Sequence, residues 1–441
     1  MPFGAFIIAL FDALARDGVA AFVLRNYEGF PAANVGSDVD FLIRRSDLAR
    51  AVRALQSIPG IRVVGYAERH YVAHLFVEGV TPTPGVRALG IDFIWSMNWK
   101  GVPYVTAEEV LAAARPLEAG SATFYAPSPV HEAIISLLAS LIIGGRLKEK
   151  YLPKVRQTFG ESRSETIACL RPLYGEKVAS RLVDAVIADN RQDALKCVWP
   201  LRLALVSRGL WHHPWRSTFN AARYHLREFM VRCTPQTLET ICFTGAELRS
   251  REELMDNLLP LLKNSAKLVE RRPFGPPDSQ YAKALDSTPG VQTRGGFFLS
   301  LASMLKIVFE AAKEWLRLLK KRDNLTLRIS QSCTYHLPLG APRRREEFSW
   351  RFTRLVWNLL PAPDLWILLD STVDQMLSGN PGLTREKAEM LLASFRMDVK
   401  TRKSGIIIDA SRPDGIVVEE VVAAILAALV RRTQSALQRR F

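Results

Sequence analysis

The chain has 441 residues, 48% hydrophobic and 23% charged, the composition of a folded soluble protein and too long for one ordinary core, so two or three domains are expected. Lys and Arg outnumber Asp and Glu by 59 to 44, and the net charge of +15 favours anionic partners. No zinc knuckle, RNA-binding aromatic signature or helix-turn-helix pattern accompanies that charge, which makes nucleic acid the minor reading.

Residues 5–16 read as an amphipathic helix in which Asp12 and Arg16 interrupt an apolar run, with Asp17-Gly18 ending it. The run has no basic segment before it, so a helix of the fold is expected and not a signal peptide. Ala20–Arg25 reads as a first strand and Val39–Ile43 as a second. The second lies in Val35-Gly-Ser37-Asp38-Val-Asp40-Phe-Leu-Ile43, where two carboxylates alternate with apolar residues. Side chains at i and i+2 share a strand face, which places Asp38 beside Asp40 and turns Val39 and Phe41 the other way. Adjacent carboxylates repel unless a cation lies between them, and a hard divalent ion such as Mg²⁺ is the usual one. The same Gly-Ser-Asp run also suits an N-cap or a turn.

Ser46-Asp47 is expected to cap a helix that runs to about Ser57 and stops at Pro59-Gly60; strands follow at 62–66, 71–77 and 88–95. His70 and His74 are either nucleotide contacts or half-buried strand histidines. Asp92, the single acid in Leu-Gly-Ile-Asp-Phe-Ile-Trp, is either a third metal ligand or a strand-end cap. Helix alternating with strand implies a small α/β sheet domain over residues 1–128. From Ser128 long helices take over. Pro129–Ile143 is apolar nearly all round and should be buried, and the stretch after it gathers Arg146, Lys148 and Lys150, as phosphate contacts or as a solvated charged face. Trp211-His-His-Pro-Trp215 lacks a companion acid at helical spacing and suggests no metal site. Phe297–Phe309 is apolar but too short to span a bilayer, and a helix to Arg322 ending in Lys320-Lys321-Arg322 would suit a membrane surface or interior packing equally. Five cysteines, scattered singly without Cys-x-x-Cys spacing, read as buried thiols of a reducing compartment, and a cytoplasmic location is expected.

The strands around Asp38 and Asp40 resemble the nucleotidyltransferase superfamily with the polymerase-β-like fold, in which a small glycine turn follows one strand, Asp-x-Asp sits on the next, and a third carboxylate comes later. The resemblance implies Mg²⁺ held by Asp38, Asp40 and Asp92, a nucleoside triphosphate substrate, and a role for Asp92 in activating the acceptor hydroxyl. It also implies nucleotide contacts at Ser37 and at Lys148, on a helical segment that closes over the nucleotide. Arg25-Asn26-Tyr27-Glu28 stands where the family has its glycine, a departure in which Arg25 would offer a forked guanidinium to a phosphate.

Glu239-Thr-Ile-Cys-Phe-Thr-Gly245-Ala-Glu-Leu-Arg-Ser250-Arg251-Glu252-Glu-Leu-Met255 runs from a short strand through a turn into a helix and resembles the opening of a thymidylate kinase-like P-loop domain. Pro363–Asp370 is similar to that family's late strand, Ile408–Ser411 with Val417–Leu426 to its last strand and helix, and Tyr335-His336 with Pro342-Arg343-Arg344 to the stretch after its Asp-Arg pair. The chemistry is missing. A Walker A loop uses glycines to wrap phosphates in backbone N–H groups, a lysine on the β/γ-phosphates and a hydroxyl on Mg²⁺. Here Gly245 is kept, but Ser250, Arg251 and Glu252 occupy the other stations. The Asp-Arg pair falls on Ser332-Cys333 and the lid's Arg-Lys on Gly379-Asn380 in an ungapped alignment. The resemblance therefore implies a scaffold without kinase activity, which would touch any nucleotide through Gly245 and Arg251 or dock a protein partner.

The expected organisation is α/β throughout: a nucleotidyltransferase-like mixed sheet over 1–128, a helical middle over 129–235, and a P-loop kinase-like parallel sheet with flanking helices over 236–441. Proteins that join such halves look like those found with bacterial surface-polysaccharide genes, which suggests a sugar or glycan acceptor. The function expected is a Mg²⁺-dependent nucleotidyltransferase. The alternative is a non-catalytic nucleotide-binding or scaffold protein in which both halves are degenerate.

Overall fold

In the computed structural model the described residues are 1–31, 38–81, 86–119, 122–212, 214–233, 240–245, 248–271, 309, 326–330, 363–379 and 383–441. They form two compact units, one built mainly from residues 1–231 and the other mainly from 232–440.

The first unit opens with α1 (Phe3–Arg16), whose Phe3, Phe6, Ile7, Leu10, Phe11 and Leu14 recur at helical spacing and are buried. Next come β1 (Phe22–Val23), β2 (Asp38–Leu42), a 3-10 turn (Arg45–Asp47) and α2 (Leu48–Gln56). β3 (Arg62–Glu68), β4 (Val72–Glu78), β5 (Ala88–Ile94), β6 (Ser96–Trp99), β7 (Val102–Thr106), α3 (Ala107–Ala112), β8 (Arg115–Ala119) and β9 (Ala122–Ala126) complete the sheet region. Seven strands form one mixed sheet in the order β3-β4-β5-β2-β1-β9-β8, with β2 parallel to β5 and antiparallel to β1.

Three expectations need correction here. The first strand is only two residues long, although the Leu24 amide still donates to the Asp40 carbonyl. Asp47 does not cap α2; its carboxylate accepts from Arg50 at 2.6 Å, because an arginine three residues on competes for the same oxygen. The β6–β7 and β8–β9 hairpins were not expected. Lys100 and Gly101 both have positive φ, which a two-residue hairpin loop requires, so the dipeptide that makes the first turn carries only one glycine as a signal.

After Ser128, whose hydroxyl caps the next helix, come α4 (Pro129–Gly144), a 3-10 turn (Glu149–Tyr151), α5 (Leu152–Glu161), α6 (Arg163–Tyr174), α7 (Glu176–Ile187), α8 (Arg191–Lys196), α9 (Val198–His212) and α10 (Pro214–Cys233). α4 is buried as expected, through Ile134, Ile135, Leu137, Leu138, Leu141 and Ile142 among others. Its residues share one core with Phe22, Leu24, Leu42 and Ile94 of the sheet region, so residues 129–231 belong to the same compact unit as the sheet. At about 2 kcal/mol for each large aliphatic side chain removed from water, these α4 side chains contribute strongly to the core shared by helices and sheet. The opposite sheet face meets α1, where the Phe11 and Phe41 rings are 5.9 Å apart. Leu42 therefore faces the helical core and Phe41 faces α1, and Asp38 and Asp40 share the face of Leu42.

The second unit consists of β10 (Thr240–Thr244), α11 (Leu248–Leu261), β11 (Leu268–Arg271), β12 (Thr326–Ser330), β13 (Leu365–Asp370), α12 (Val373–Gly379), α13 (Arg385–Thr401), β14 (Gly405–Asp409) and α14 (Asp414–Arg440). Its five strands are all parallel, in the order β11-β12-β10-β13-β14. β10, β12 and β13 are almost wholly buried, which is what a parallel sheet covered on both faces demands of its sequence. No described helix is long and apolar enough to cross a membrane.

The four described cysteines are free thiols. Cys197 and Cys242 are buried as expected, but Cys169 is half-buried and Cys233 lies exposed at the end of α10. Ser37, Ser332-Cys333, Tyr335-His336, Pro342–Arg344, Asn380 and the stretch 297–322, save residue 309, lie outside the described residues.

Candidate metal and nucleotide site

The parallel register of β2 and β5 sets Asp40 directly opposite Asp92, and the two-residue period adds Asp38 on the same face. Carboxylate oxygens of the three residues all lie within 4.8 Å of one another. Asp38 is exposed, Asp92 half-buried and Asp40 only 5% exposed.

Two neighbours extend this trio into a row across four adjacent strands. On the β1 side, Arg25 Nη2 lies 2.6 Å from Asp40 Oδ2. On the β4 side, His74 Nδ1 lies 2.7 Å from Asp92 Oδ1. The row reads His74–Asp92–Asp40–Arg25. Burial pushes the Asp40 carboxyl above the usual carboxylate range; Arg25 opposes that push, while Asp92 and Asp38 add to it. Burial by itself lowers the Arg25 pKa, but Asp40, Tyr151 and Asp38 together outweigh it and leave the guanidinium above its ordinary value. One arginine and one histidine thus face three carboxylates.

The turn after β1 supplies Arg25 without a glycine. Asn26 has φ of 60°, the left-handed conformation that glycine adopts freely and that asparagine tolerates best among other residues. The turn is anchored beyond it: the Tyr27 hydroxyl donates to the buried Glu132 and accepts from Arg115 at 2.8 Å, and Lys154 bridges Glu132 and Glu28. Burial, together with the bond to Glu132, pushes the Tyr27 phenol up to about 12.

Tyr151 closes the cationic side of the site. Its ring lies 5.4 Å from the Arg25 guanidinium carbon, 4.7 Å from Lys150 Nζ and 6.0 Å from Lys148 Nζ. The 3-10 turn Glu149–Tyr151 thereby carries Lys148 and Lys150 to the arginine that touches Asp40. Neither lysine is ion-paired among the described residues. Arg146 stands near the end of α4, beyond Gly145 in its left-handed C-cap.

Arg25, Asp38, Asp40, Asp92 and Lys148 thus converge. His74 and Tyr151 are the residues that sequence reasoning missed in this role. His74 was weighed only as a nucleotide contact or a strand histidine, and its partner lies 18 residues away on another strand. Tyr151 carried no signal beyond the lysines around it.

Gly245 and Arg251 belong to the second unit. Gly245 has φ of 139°, and a Cβ there would lie 2.7 Å from the Leu369 carbonyl oxygen, so glycine is required by β13 whatever the loop binds. Arg251 lies in α11. At the same end of this sheet Asp370 and Asp409 are register partners. Asp370 is bound by Arg396 Nε at 2.8 Å, and Asp409 by the Ser411 amide at 3.0 Å and hydroxyl at 2.6 Å. Among the described residues the buried hydroxyls of Thr244 and Ser371 have no hydrogen-bond partner. Comparison with family models and with curated proteins gives no match to this chain.

Proposed function

We propose that the protein is a Mg²⁺-dependent nucleotidyltransferase that uses a nucleoside triphosphate and a sugar or glycan hydroxyl as acceptor, with a thymidylate kinase-like second unit that has no kinase activity. The observation that carries the reading is the convergence of Asp38, Asp40 and Asp92 within 4.8 Å around a buried carboxylate. Three carboxylate oxygens are the hard donors that Mg²⁺ selects, so the residues fit the ion. Bound there, Mg²⁺ would balance charge on the attacking and leaving oxygens of phosphoryl transfer. Arg25 would trade part of its bond to Asp40 for a phosphate oxygen, and Lys148 and Lys150 would meet the remaining phosphate charge. Asp92 would help activate the acceptor hydroxyl, and His74 would hold its carboxylate in orientation.

For the second unit, the support is the central position of β10, whose carboxyl end leads to Gly245 and α11 at the point where connections leave in opposite directions. Ser250, Arg251 and Glu252 replace the residues that would handle ATP there.

A second reading has its own observation. Asp40 is already paired with Arg25 and Asp92 with His74, as in a site whose acids have become structural. That reading makes the protein a non-catalytic nucleotide-binding or scaffold protein. Calorimetric titration of the whole chain with the four nucleoside triphosphates, with and without Mg²⁺, separates the two. Under the transferase reading binding requires Mg²⁺ and disappears in Asp38→Asn with Asp40→Asn while the circular dichroism spectrum is unchanged. Binding that is indifferent to Mg²⁺ and to this double substitution would overturn it.

A further inference from the structure

α10 is amphipathic in the reverse of the usual sense. Tyr224, Arg227, Glu228 and Val231 lie on the face turned to the protein, where Arg227 pairs with the buried Glu68, Glu228 accepts from Arg69 at 3.2 Å, and the Tyr224 ring meets His70 at 5.6 Å. Asn220 and Ala221 bring their backbone against Gly101, where a Cβ would lie 2.6 Å from the Asn220 carbonyl oxygen. The outer face carries Trp215, Phe219, Ala222, Leu226, Phe229 and Met230, which recur at three- and four-residue intervals as a single stripe. Trp215 is 88% exposed and Phe219 64%. α9 continues the pattern with Trp199, Leu203 and Leu210, all exposed, and Trp211 at 86%.

So much exposed apolar surface in consecutive helices marks a contact surface. Charge decides which kind. Residues 198–233 contain six arginines and one acid, Glu228, which is already paired with Arg69. Arg216 and Arg223 are exposed and flank the stripe. A second copy of the same face would bring arginine against arginine. An anionic lipid surface instead accepts both halves of the pattern: aromatic and aliphatic side chains enter the headgroup boundary, and arginines meet phosphates.

We propose that the outer stripe of α9 and α10 seats the protein on an anionic lipid bilayer. The helices lie in the interface and do not cross it, in keeping with the absence of a membrane-crossing helix among the described residues. This inference is independent of the transferase reading.

The test uses the full chain and vesicles of phosphatidylcholine, alone or mixed with phosphatidylglycerol. The parent is expected to sediment with the mixed vesicles and not with the neutral ones, with a blue-shifted tryptophan emission that brominated lipid quenches. Trp215→Glu with Phe219→Glu should weaken binding by about tenfold or more, since both side chains are exposed and their loss spares the fold. Arg216→Glu with Arg223→Glu should also weaken binding and flatten its dependence on salt. A parent that stays in solution with both vesicle types, or that sediments without quenching by brominated lipid, overturns the proposal. So does a parent that dimerises in sedimentation velocity through the stripe, with Trp215→Glu and Phe219→Glu restoring the monomer; that result would assign the stripe to a second copy.

Discussion

The two sheets each bring a pair of aspartates into register on neighbouring parallel strands, Asp40 with Asp92 within the strands of the first and Asp370 with Asp409 at the strand ends of the second. In the second sheet each acid is satisfied separately, Asp370 by Arg396 and Asp409 by Ser411. In the first, three carboxylates share one arginine and one histidine, and the most buried of them is held above its usual range. Parallel strands gather acids wherever the sequence places them. What separates a candidate reaction centre from a structural one is charge left uncompensated by the protein itself.

The largest expected effect contrasts the two pairs directly. Asp92→Asn should lower Mg²⁺-dependent nucleotide affinity by roughly 100-fold, as loss of a charged ligand to a divalent ion does, whereas Asp370→Asn should leave it unchanged. Calorimetry on both variants checks this, and equal losses in the two would erase the distinction between the sheets.

Second in size is Glu68, 2% exposed, which accepts from Tyr66 and pairs with Arg45 and Arg227. Glu68→Gln removes the one acid that faces both arginines and should cost about 3 kcal/mol in urea unfolding of the first unit. In the second sheet Gly245→Ala should cost about 2 kcal/mol, from its positive φ and its contact with Leu369. A variant as stable as the parent would mean that the glycine was kept for a ligand and not for β13.

Tyr27 gives a pH signature confined to the first unit. Its folded pKa, about 12, lies above the ordinary tyrosine value of 10.0, so the folded state holds the proton more tightly. The stability from this group is fully present below pH 10 and is lost as pH rises towards about 12. Burial also raises Tyr71, Tyr104 and Tyr174, so absorbance of the phenolate should show several tyrosines titrating late, and Tyr27→Phe should remove one of them together with its part of the alkaline loss. The smallest effect is expected at Asn26→Gly, below about 1 kcal/mol in either direction, because glycine reaches the same left-handed conformation at the cost of a freer unfolded chain. Asn26→Val should be clearly worse in the same melt.

Much of the architecture was legible. The two-residue alternation placed Asp38 and Asp40 together against Val39 and Phe41, the apolar Pro129–Ile143 run read as a buried helix, and the helix, strand and strand sequence through Asp92 came out in order. The β6–β7 and β8–β9 hairpins were not legible, since short strands joined by a dipeptide with a single glycine look like loop. The left-handed conformation of Asn26 after β1 was not legible either, since nothing but a tolerant residue type marked it.

The sequence by itself determined which residues were available: paired acids on an apolar strand, a lone acid on a later one, three cations after a buried helix, and Ser250-Arg251-Glu252 following the Gly245 turn. Those are local facts, set by spacing along the chain and by residue chemistry. Only the tertiary structure decided that His74, Asp92, Asp40 and Arg25 form one row, and that Tyr151 brings Lys148 and Lys150 beside it. It also decided which face of α10 points outward. Periodicity marks an amphipathic helix without saying which side meets the protein, and here Glu68, 159 residues before Arg227, binds the polar side and leaves the apolar one outside.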